Sequence, residues 1–75
     1  MNQVIINVTK EDINSGDCPV TRAIKQNFPY SKVEVGATNV YLGGEVVGLP
    51  IEVQNWLDKH DLGRTVDPIS FELWV

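Results

Sequence analysis

The chain opens on Gln3-Val-Ile-Ile-Asn-Val8, with Val4, Ile6 and Val8 on one side and Ile5 and Asn7 on the other. A β-branched run with a period of two predicts a strand. Thr9 and Asp12 follow at the spacing of a helix-capping box, with Asp where Glu is commoner. They predict a short helical turn with Ile13 inward and Gly16 as its left-handed stop. From Val20 the period changes: Val20, Ala23, Ile24 and Phe28 share one helical face. This second helix starts at Asp17 or Cys18, carries Pro19 in its first turn, where a missing N–H costs nothing, and ends before Pro29.

Residues 32–35 alternate and predict a second strand. Residues 39–42 and 45–47 flank Gly43-Gly44, a pair suited to a two-residue hairpin turn, where both positions need positive φ. That turn sets Leu42 opposite Glu45, Tyr41 opposite Val46 and Val40 opposite Val47. Val40, Leu42 and Val47 then share one face, and Tyr41 and Val46 the other. Pro50 opens a last helix with Val53, Trp56, Leu57 and His60 on one side and Gly63 as its stop. Residues 69–75 alternate again: Ile69, Phe71, Leu73 and Val75 face one way, Ser70, Glu72 and Trp74 the other. The order is β-α-α-β-β-β-α-β. The expected fold is α+β, a single domain over residues 1–75, with a mostly antiparallel sheet of about five strands and helices on one face.

Packing the helices against Val4, Ile6, Phe71 and Leu73 leaves Ile5, Tyr41, Val46 and Trp74 on the opposite side. A face of that composition is the mark of a binding or self-association surface. The alternative is that a loop covers it or that the residues stand singly. Seventy-five residues support only a thin core. One cysteine and one histidine provide neither an intrachain disulfide nor a closed zinc site. Apolar packing must hold the fold, with Trp56, Trp74, Phe28, Phe71, Tyr30 and Tyr41 as its bulky residues, and a homo-oligomer would relieve the thin core.

The net charge is −4, spread among scattered acids. Four lysines and two arginines cannot make a broad basic footprint, so direct nucleic-acid binding is not expected. No stretch reads as a signal peptide or a membrane span. The lone cysteine suits a reducing cytoplasm. No cofactor or metal is expected: Glu52, Asp58 and Asp61 match no ligand spacing and read as a solvated helix face.

Chemistry concentrates at the start of the second helix. There Cys18, Thr21 and Arg22 surround first-turn N–H groups, a combination able to grip a phosphate or carboxylate. Asp17 could instead cap that helix and occupy the place itself. The positive end of a helix also favours thiolate, but a nucleophilic cysteine needs a base. His60, the only candidate, falls on the apolar side of the last helix. A small packing residue beneath the second helix is the simpler role for Cys18, and no catalytic residue is assigned.

The chain resembles small uncharacterised proteins encoded by bacteriophages and prophages. The likeness runs through Ile13, Gly16, Cys18, Pro19, Val20, Ala23 and Ile24, and continues through Leu49-Pro50, Trp56, Asp61, Gly63, Val66, Pro68, Phe71 and Leu73. It implies a phage accessory product in the cytoplasm of a bacterial host, and no catalytic residues. The expected function is a non-enzymatic accessory binding protein, counter-defence in character. It would act by stoichiometric binding of a host protein or by sequestering a small anionic, nucleotide-like ligand. The alternatives are a small enzyme using a Cys18 thiolate and a structural or assembly protein of the virion.

Overall fold

The computed structural model describes residues 2–75. In it β1 (Gln3–Val8) and β5 (Ile69–Trp74) form an antiparallel ribbon with Gln3 opposite Trp74 and Val8 opposite Ile69. Val4, Ile6 and Val8 therefore share a face with Leu73, Phe71 and Ile69. On it Ile6, Val8, Phe71 and Leu73 are buried and Val4 and Ile69 are half-buried.

Between these strands the chain makes α1 (Lys10–Ile13), α2 (Pro19–Asn27), β2 (Val33–Val35), β3 (Asn39–Leu42), β4 (Glu45–Gly48) and α3 (Ile51–Asp61). The α+β class and the element order follow the sequence pattern. The five strands, however, divide between two antiparallel sheets, β1-β5 and β2-β3-β4. No backbone ladder joins β4 to β5, so the expected single sheet is interrupted there.

The hairpin has the expected register, with Leu42 opposite Glu45, Tyr41 opposite Val46 and Val40 opposite Val47. Gly43 and Gly44 adopt φ of 58° and 89°, the left-handed backbone such a turn demands. The inward rows Val40, Leu42 and Val47 join Val33 and the ribbon's inner face in one core, closed by Val20, Ala23 and Ile24 of α2 and Val53, Trp56 and Leu57 of α3.

The bulky residues contribute unequally. Trp56 and Phe71 are buried and Phe28 is half-buried, whereas Tyr30 is fully exposed and Tyr41 and Trp74 lie on the surface. Tyr30 follows Pro29 in the turn between α2 and β2, where no element packs over it. Trp56 is held at its polar end as well: its indole N–H donates to the Asp67 carbonyl (2.7 Å). Its ring lies parallel to the His60 imidazole, centroids 5.8 Å apart. No helix among the described residues is long and apolar enough to cross a membrane.

Candidate functional site

The capping box at Thr9 forms as its spacing predicts, and it does more than start α1. Asp12 is buried, although charged side chains rarely are without partners. Its Oδ2 accepts from both the Thr9 backbone N–H and the Thr9 hydroxyl, each at 2.9 Å. Its Oδ1 accepts from Arg22 Nε (3.0 Å) and Gln26 Nε2 (3.3 Å) on α2. Burial pushes the Asp12 carboxyl up, but the Thr9 hydrogen bonds and the Arg22 guanidinium outweigh it and hold the group below the usual carboxylate range. One short helix is thereby pinned to the next through a single carboxylate.

That arrangement decides where Arg22 sits. Its Nε is committed to Asp12, while the side chain remains 42% exposed. Arg22 still borders an open hollow of about 340 Å³ that it shares with Asp17, Cys18, Thr21 and Lys25. The expected trio of Cys18, Thr21 and Arg22 is thus brought together. Lys25, absent from the sequence expectation, joins it; the signal was its position one helical turn beyond Thr21.

Cys18, not Asp17, is the N-cap of α2, and its side chain makes no capping bond. Asp17 instead donates its N–H to the Ser15 hydroxyl (3.2 Å). Cys18 is exposed, which corrects the expectation of a packing role beneath α2. The backbone explains this: Pro19 and Val20 are the buried residues of the first turn, and the cap precedes the buried stripe.

Cys18 also borders a second hollow, of about 290 Å³, beside Asp58 and Asp61 of α3. His60 lines neither Cys18 hollow. It borders a larger depression of about 590 Å³ with Lys10 and Arg64. Within the described residues the thiol and the imidazole are not brought together as a nucleophile and base.

The outer strand faces carry Ile5, Tyr41, Val46 and Trp74, exposed by 60, 49, 60 and 56% respectively. They fall into two pairs. Tyr41 and Val46 are directly opposed in the hairpin. Ile5 and Trp74 lie diagonally on the ribbon, since Ile5 faces Glu72 and Trp74 faces Gln3. The pairs belong to different sheets. Comparison with protein-family models, curated proteins and solved structures returned no match.

Proposed function

We propose that this chain is a non-enzymatic binding protein that engages a protein partner stoichiometrically through the outer faces of its strands. The observation that carries this reading is the half-exposure of both Tyr41 and Trp74, each beside an exposed β-branched residue, Val46 or Ile5. Exposed Tyr and Trp are the side chains most often found as interface anchors. The core does not need them: the inner faces close with Val40, Leu42, Phe71 and Leu73 buried. The resemblance to phage accessory proteins supplies a setting in which the partner is a host protein and the effect is counter-defence.

The test is capture from host lysate followed by reconstitution with the captured protein. One-to-one binding by the wild type, weakened at least tenfold by Trp74→Ala or Tyr41→Ala, is expected. Undiminished binding by both variants would remove the outer faces from the account.

A second reading is favoured by one observation: Thr21, Arg22 and Lys25 border one hollow at a helix start without a side-chain cap. In that reading the chain sequesters a small anionic, nucleotide-like ligand there. Thermal shift against a nucleotide panel tests it, since saturation at a hundred times Kd adds about 2.7 kcal/mol of stability. Lys25→Ala is the sharper control, because Arg22→Ala would also break the pair with Asp12. No shift with any nucleotide would discard the sequestration reading.

A further inference from the structure

In an antiparallel ladder, alternate residues turn their backbone groups toward the partner strand and away from it. Asn2 and Val75 exchange both bonds, at 2.7 and 2.8 Å. With the observed register, the hydrogen-bonded pairs of the ribbon are then Val4–Leu73, Ile6–Phe71 and Val8–Ile69. Gln3, Ile5 and Asn7 consequently direct their N–H and C=O groups away from β5. Among the described residues no strand pairs with β1 on that side, and no loop or side chain accepts a hydrogen bond from those N–H groups. Backbone groups in that condition are satisfied by water or by another chain.

Natural edge strands are usually protected by charge, proline, a bulge or brevity. β1 has no such protection: it is six residues long and reads Gln-Val-Ile-Ile-Asn-Val. The other edges are guarded. β2 has three residues and carries Glu34 beside Lys32, with which it forms an ion pair (3.5 Å). β4 carries Glu45 and β5 carries Glu72.

We propose that β1 pairs antiparallel with β1 of a second copy of this chain, in a register centred on Ile5. The outward-facing residues are spaced symmetrically, so Gln3 meets the second copy's Asn7, and Ile5 meets its own counterpart. This makes six backbone hydrogen bonds, two in each of three pairs. Ile5 packs on Ile5 on the outer face, flanked by amide side chains. On the inner face Val4 lies opposite the second copy's Ile6, covering a side chain that is only half-buried in one copy.

Charge selects this edge. With a net charge of −4, two copies repel except where the contact is neutral, and β1 has no ionisable side chain. The same construction on β5 would centre on Glu72 and set two carboxylates face to face. The product is a continuous four-stranded sheet, β5-β1-β1-β5, that gives each thin core a larger neighbour.

Sedimentation with charge-swapped variants tests the pairing. The wild type should sediment at twice the monomer mass. Ile5→Lys and Ile5→Glu, both at an exposed position, should each sediment as monomers. An equimolar mixture of the two should restore the doubled mass, because only a symmetric register places position 5 against itself.

A monomeric wild type at concentrations up to about 0.5 mM would overturn the proposal. So would a dimeric Ile5→Lys variant or a mixture that stays monomeric. Amide exchange is an independent check: the Ile5 and Asn7 amides should slow as the mass doubles, and fast exchange in the dimer would rule β1 out. Trp74→Ala should leave the mass unchanged even where it removes partner capture, which separates this edge from the outer-face reading.

Discussion

Arg22 donates its Nε–H to Asp12 across 3.0 Å, and the acceptor is fully buried while the donor is partly in water. The pair ties α2 to the capping turn of α1, so its loss leaves more than a broken ion pair. Asp12→Ala strands the Thr9 N–H and hydroxyl and removes the acceptor shared by Arg22 and Gln26. We expect it to destabilise the protein by about 1–2 kcal/mol, through the lost capping box and the charge-assisted hydrogen bonds that the carboxylate accepts. Arg22→Ala should cost less, about 1 kcal/mol, because the guanidinium is partly solvated. Urea titrations of the two variants check the order.

The same carboxylate sets a pH response. Its folded-state pKa is depressed by Thr9 and Arg22 against the opposing effect of burial. A depressed pKa contributes stability that is fully present above the unfolded value, about 4, and is lost as pH falls through the folded value. Stability should therefore decline progressively below about pH 4. Asp12→Asn should show a shallower acid limb in denaturant midpoints collected across that range.

Trp56 combines ring burial with a bond from its indole N–H to the Asp67 carbonyl. Trp56→Phe keeps most of the packing and deletes the donor, so a loss of about 1 kcal/mol is expected. Trp56→Ala should cost about 3–5 kcal/mol through the cavity it leaves. Faster amide exchange over residues 64–67 in the Phe variant would show that the indole restrains this loop.

Cys18 is exposed, so a thiol reagent should modify it completely in the native protein without denaturant. Cys18→Ser should change stability by no more than about 0.5 kcal/mol, as at other surface positions. Protection of the thiol until unfolding would contradict the position of the α2 cap.

Local rules carried most of the fold. Gly43-Gly44 determines the hairpin register because the turn length leaves one pairing, and Thr9 with Asp12 announces α1 because a capping box needs only four residues. Relations between elements were less legible. Arg22 reads as a ligand for an outside anion until α1 and α2 cross, when Asp12 becomes its partner. Periodicity could not predict the bond from Trp56 to Asp67, since a carbonyl acceptor leaves no side-chain signature. The gap between β4 and β5 was hidden for a similar reason: alternation reports faces, and says nothing about which strands are neighbours. Cys18 is next to the buried stripe of α2 in sequence without lying on it, a distinction that depends on where the helix begins.

The pairing of β1 with β5 has a consequence for biosynthesis. β1 is made well before its intramolecular partner β5, with every other element of the fold between them, and closing so long a loop is entropically costly and slow. On the ribosome, Gln3–Val8 therefore emerges with no ladder to join until Ile69–Trp74 follows. During that interval a neutral β-branched segment is open to neighbouring nascent chains. Crowded polysomes should thus be where this protein most readily aggregates, and rapid elongation from β1 through β5 its safeguard.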